Sequence, residues 1–200
     1  MFNKKTAINA FRLLVLVACA GPALWLGWAW TQAELGANPA EAVVHFTGRF
    51  GLGLLLATIA LGPAFRLTGW VGFMAARRQM GLWAFVWLCG HALAWMGLDQ
   101  YWDWPWIWQD LWGLEYVRYG VAGLLLLVPL VLTSFRAAQQ AMGKVAWQWL
   151  HRLVYISATL GVVHFWILTR ADYRDVTLFA IVLAALVAFR LGCVVVDRRW

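Results

Sequence analysis

Charge is scarce in this chain: 12% of its 200 residues are Asp, Glu, Lys or Arg, against 64% hydrophobic, where soluble domains carry about 25% charged and 45–50% apolar residues. That shortage excludes a soluble enzyme and leaves a membrane protein. Cysteine is scarcer still. Cys19, Cys89 and Cys193 all lie inside apolar runs with no CxxC spacing, which excludes a disulfide framework and a zinc-cysteine site and leaves them as small buried hydrophobes. Long polar stretches are missing too, so there is no linker, low-complexity segment, internal repeat or second domain. Basic residues outnumber acidic ones 16 to 9, but they are scattered through short connections. They therefore speak for membrane orientation and lipid contact, with no nucleic acid involved.

What is present is apolar length. Six runs, at about 10–30, 46–65, 79–98, 117–134, 148–168 and 176–196, each approach or reach the roughly 20 residues that cross a bilayer core. None alternates as a barrel strand does, so the expectation is all-α: one domain over residues 1–200, an integral membrane bundle of six transmembrane helices. The basic start before the first run resembles a signal peptide, but apolarity continues through Trp30, which reads as a retained span. With the N-terminus in the cytoplasm, twelve of the sixteen basic residues fall inside: Lys4, Lys5, Arg12, Arg66, Arg77, Arg78, Arg136, Lys144, Arg152, Arg190, Arg198 and Arg199. Arg49, Arg118, Arg170 and Arg174 remain outside, among most of the acids. The positive-inside rule thus places both termini in the cytoplasm.

The outer connection "LDQYWDWPWIWQDLWGLEY", residues 98–116, carries five tryptophans and four acids, and its Pro105 bars a long helix. Indoles favour the headgroup level, so this segment is expected along the outer membrane surface, as an anchor or a platform for a partner.

Four histidines stand out against this background: His45 at the outer start of span 2, His91 in span 3, and His151 and His164 in span 5. An ionisable side chain inside a membrane is costly without a partner, so each is a functional candidate. Spans 3 and 5 both run outward, and His91 and His164 reach similar depth. Two neutral imidazoles on separate helices at one depth suit the two axial positions of a haem iron. Gly161, three before His164, leaves room for a flat ligand, and Trp83, Trp87 and Trp95, which with His91 form a series at four-residue intervals, are either its walls or packing surface. His151 lies thirteen residues from His164, about 20 Å along a helix and turned by about 220° if the helix is ideal. The two cannot share one iron, and His151 is left for a second haem with another kind of ligand, a quinone, a flavin or a proton path. His45 and Arg49, four apart, could hold a haem propionate or a flavin phosphate, or cap the interface.

The stretches "HFTGR" (45–49), "RRQMGLWAFVWLCGH" (77–91), "TS" (133–134), "MGKVAWQWLH" (142–151) and "VVHFW" (162–166) closely resemble the MsrQ (YedZ) family. These are haem-binding membrane subunits of the bacterial periplasmic methionine sulfoxide reductase system, related to the transmembrane domain of ferric reductases. The resemblance covers nearly the whole chain. It implies a b-type haem protein of the bacterial inner membrane that takes electrons from the quinone pool and passes them to MsrP, a periplasmic molybdopterin enzyme that repairs oxidised proteins. The chain itself would then be an electron-transfer subunit and not the sulfoxide reductase. The family's haem ligands fall on His91, His151 and His164, and FMN enters only as a family expectation, with no motif to place it. Arg78 stands where the wider ferric reductase pattern has an inner histidine, so the resemblance implies one haem or two. No nicotinamide or flavin-adenine domain is expected after span 6, and electrons are then expected from quinol or from a separate cytoplasmic flavin reductase. The competing expectation is a histidine-lined proton or metal-ion transporter.

Overall fold

A computed structural model describes residues 4–197, which form helices and turns with no strand among the described residues. Six segments are long and apolar enough to cross a membrane: Lys4–Thr31, Pro39–Thr68, Gly72–Asp99, Glu115–Leu132, Lys144–Leu168 and Arg174–Cys193. They fall on the six expected runs and extend most of them by several residues. Arg198 and Arg199, counted among the inner charges, lie outside the described residues. The chain divides after Asp110 into two compact units.

The first unit contains α1 (Lys4–Thr31), α2 (Pro39–Thr68), α3 (Gly72–Ala94), a π turn over Trp95–Asp99, and the start of α4 (Trp104–Gly113). α2 begins sharply because Asn38 and Glu41 cap each other. The Asn38 side chain accepts from the Glu41 backbone N–H at 3.3 Å and donates to the Glu41 carboxylate at 3.1 Å. Pro39 occupies the first turn, where a missing N–H costs nothing. The helix ends at Gly69, whose φ of +71° lets its N–H reach the Phe65 carbonyl at 2.8 Å. α1 packs on α3 through Val15, Cys19 and Ala76, with Phe11, Met80 and Trp83 around them. The Trp87 indole donates to the Cys19 carbonyl at 2.8 Å, and Gln79 donates to the Arg12 carbonyl at 3.0 Å. Such polar ties matter in lipid, where apolar contact alone gives helices little reason to associate.

α2 and α3 run antiparallel in tight register. Gly48 faces His91, Gly51 faces Leu88 and Thr58 faces Gly81, so a step forward on one helix matches an equal step backward on the other. Small residues at these positions let the backbones approach closely. Pro105 does not merely bar a long helix: it sits in the first turn of α4, and the Asp103 carboxylate accepts from the Trp106 N–H at 3.3 Å. On α4, Trp104, Trp106, Trp108 and Trp112 are exposed and Ile107 is buried.

The second unit holds α5 (Glu115–Leu132), α6 (Arg136–Met142), α7 (Lys144–Leu150), α8 (Leu153–Leu168) and α9 (Arg174–Asp197). α5 packs antiparallel on α8, with Gly123 against Leu160 and Gly161, and the buried Ser157 hydroxyl donates to the Gly123 carbonyl at 2.7 Å. The expected fifth span is therefore two helices, α7 and α8, joined at His151 and Arg152. Gly143, at φ +76°, turns the chain from α6 into α7. α9 adds Phe179 edge-on to Phe165 and a fully buried Val176.

Candidate functional site: two histidine seats and a histidine joint

α3 carries His91 one turn before its α-helical end, opposite the N-terminal turns of α2. The ring is half-buried, and its Nδ1 lies 2.9 Å from the Val44 carbonyl oxygen. A carbonyl can only accept, so Nδ1 carries the proton and Nε2 the lone pair. The ring rests on Gly48, where an added Cβ would lie 2.9 Å from Nδ1 and 3.0 Å from Cε1.

The second unit repeats this arrangement. His164, one turn before the end of α8, lies opposite the start of α5 with Nδ1 2.6 Å from the Tyr116 carbonyl. Its ring rests on Gly120, where a Cβ would lie 2.8 Å from Nδ1. The acceptor precedes the glycine by four residues in both, and a second glycine follows it by three: Val44, Gly48 and Gly51 in one unit, Tyr116, Gly120 and Gly123 in the other. Apart from those glycines the two stretches, "VHFTGRFG" and "YVRYGVAG", are identical at no matching position. No internal repeat was expected, and the repeated element is only visible once the helices are paired.

His151 is held differently. Its Nδ1 lies 3.0 Å from the Trp147 carbonyl, four residues back on its own helix, and its ring stacks on the Trp147 indole with centroids 3.9 Å apart. That indole in turn donates to the Thr133 carbonyl at the end of α5, at 2.8 Å. At the joint the hydrogen bonds shorten to three-residue spacing, from Arg152 N–H to the Trp149 carbonyl and from Tyr155 N–H to the Arg152 carbonyl. The turn of about 220° expected between His151 and His164 assumed one ideal helix, and the joint removes that premise.

His45 and Arg49 share a face of α2, as their spacing requires once the helix begins at Pro39. With Ala42, Phe46 and Phe50 they line a cleft of about 480 Å³. Phe46 and Phe50 stack at 6°, and both meet the Trp87 ring edge-on. Of the expected tryptophan stripe, Trp83 and Trp87 thus serve packing within the first unit. Gly161 lies in the α5–α8 interface, its backbone N 3.7 Å from where a Gly123 Cβ would be. Among the described residues no three His, Cys, Asp or Glu side chains gather closely enough to hold a metal ion. A donor set of separate imidazoles, each with Nε2 bearing the lone pair, fits haem iron.

A family profile described as "Ferric reductase like transmembrane component" matches residues 47–162. The match runs across the division after Asp110, includes His91 and His151, and stops two residues short of His164. Three curated bacterial relatives carry the name protein-methionine-sulfoxide reductase heme-binding subunit MsrQ. That of Rhodospirillum rubrum is 44% identical over 94% of this chain and 90% of its own length. Those of Caulobacter vibrioides and Azospira oryzae are 39% and 37% identical, over 89% and 92% of this chain and 85% and 79% of their own lengths.

Proposed function

The chain belongs to the MsrQ family of haem-binding subunits, within the ferric-reductase-like transmembrane proteins, and we propose that it carries electrons from quinol to a periplasmic molybdopterin reductase, MsrP, using haem b ligated by His91 and His164. It is a multi-pass protein of the bacterial inner membrane. The observation that supports the reading is the matched pair of seats, in which each imidazole meets a carbonyl through Nδ1, the arrangement that directs Nε2 to a metal where a histidine is a ligand. Haem iron with two such ligands supplies a one-electron carrier whose potential follows its axial donors and surroundings.

The chain's own residues supply position and direction. With both termini in the cytoplasm, α3 and α8 run outward, and His91 and His164 near their ends stand on the periplasmic side, where MsrP takes electrons. His151, at the opposite end of α8, belongs to the cytoplasmic half. There its Nε2 accepts a proton released by quinol or ligates a second haem. His45 and Arg49 offer an imidazole and a guanidinium to an anionic group, a haem propionate or the phosphate of FMN. A cytoplasmic flavin reductase is the alternative electron source.

The test uses purified protein in liposomes. Adding ubiquinol or menaquinol is expected to shift the haem absorption to its reduced form, and adding MsrP with methionine sulfoxide is expected to reverse it. A spectrum that stays oxidised with both quinols, and with a flavin reductase, overturns the reading.

A further inference from the structure

We propose that Gly48 and Gly120 are positioning residues for the two haem-ligating imidazoles, each acting by exposing the backbone carbonyl four residues before it. This rests on His91 and His164 being the ligands.

In an α-helix the carbonyl of residue i points toward the N–H of residue i+4 and spends one lone pair there. Its second lone pair is available, but a side chain on residue i+4 screens it. Glycine at i+4 removes that screen. A flat ring can then lie on the helix surface over the glycine and bring a nitrogen to the carbonyl oxygen. Both seats carry the ring over the glycine with its nitrogen at the carbonyl, at Tyr116 and Gly120 under His164 and at Val44 and Gly48 under His91, where the Thr47 hydroxyl, bonded at 2.7 Å to the Val43 carbonyl, also lies 3.0 Å from the Val44 oxygen. An alanine at either glycine would place its Cβ 2.9 or 2.8 Å from Nδ1, closer than real contacts allow, so ring and helix must move apart, and the ring is drawn off the carbonyl.

Leaving the carbonyl has a chemical consequence beyond displacement. An Nδ1–H donated to a carbonyl fixes the tautomer and makes Nε2 a stronger donor to the metal. A stronger donor favours the oxidised iron, so losing the bond raises the potential and weakens ligation. Helix packing alone has no such signature, and the second glycine of each stretch provides the control. An alanine Cβ at Gly51 would meet Leu88 at 2.9 Å, and one at Gly123 would meet the Ser157 carbonyl at 3.3 Å. Both lie in the same helix interfaces and neither rests under an imidazole.

The experiment compares Gly48→Ala, Gly120→Ala, Gly51→Ala, Gly123→Ala, His91→Ala and His164→Ala, each as full-length protein purified in detergent. The readouts are haem content, the low-spin electron paramagnetic resonance signal, the midpoint potential and thermal stability. We expect Gly48→Ala and Gly120→Ala to raise the potential and to convert part of the low-spin signal to high-spin. Gly51→Ala and Gly123→Ala should lower thermal stability and move the potential of the haem they retain less than the seat variants do. Wild-type potential and spin state in both seat variants overturn the proposal. So does failure of both seat variants to accumulate while the two controls are recovered, because that outcome makes the glycines packing residues. If His91→Ala and His164→Ala leave the signal intact, the ligand assignment itself has failed.

Discussion

His91 and His164 are held across helices, each by a carbonyl of a neighbouring helix, whereas His151 is held along its own helix by the carbonyl of Trp147. In the first arrangement the ring's pose depends on the register of two packed helices and is as rigid as that packing. In the second it depends on a local joint between α7 and α8, where the regular hydrogen-bond ladder is interrupted. The first suits a ligand whose geometry must not change between redox states. The second suits a group that gains and loses a proton or changes partner.

The largest expected effect is at the seats. His91→Ala or His164→Ala should each abolish the bis-imidazole spectrum and stop electron delivery to MsrP in cells, read as loss of growth on methionine sulfoxide. His151→Ala should weaken or alter the spectrum without abolishing it, and equal losses at all three would erase the contrast between seat and joint. Next comes Trp147→Phe, which keeps an aromatic face for His151 but deletes the indole bond to the Thr133 carbonyl. A cost of about 1 kcal/mol is expected in detergent thermal unfolding, with the seat spectrum unchanged. Ser157→Ala removes the hydroxyl tie between α5 and α8 and should cost about 0.6 kcal/mol, the average for such bonds between membrane helices. The smallest effect is expected at Gly62→Ala, where a Cβ meets nothing within 4 Å. Stability should hold or rise slightly and the spectrum should not move.

The six spans and the four histidines were legible in the residues because hydropathy reports length and because polar groups in apolar runs are conspicuous. The pairing of Val44 with His91 and of Tyr116 with His164 was not. It depends on the register between α2 and α3 and between α5 and α8, which apolar runs leave undetermined. Glycines three residues apart, at Gly48 and Gly51 and at Gly120 and Gly123, were the available signal, and they gain meaning only with the partner helix in place. The joint at His151 was hidden for a different reason. Residues 147–166 contain no proline, and the adjacent polar pair His151 and Arg152 is too short to mark an interruption by itself. The roles of Trp83 and Trp87 turned on which neighbour each indole meets, and Trp87 meets Cys19 of α1, far away in sequence.

The most direct test of His91 and His164 as ligands of one haem is a haem-to-protein ratio by pyridine haemochrome, measured side by side on wild type, His91→Ala, His164→Ala and His151→Ala. We expect each of the first two substitutions to remove the same haem equivalent, with the low-spin signature going with it, while His151→Ala retains that equivalent. An unchanged ratio and signature in both His91→Ala and His164→Ala would contradict the assignment.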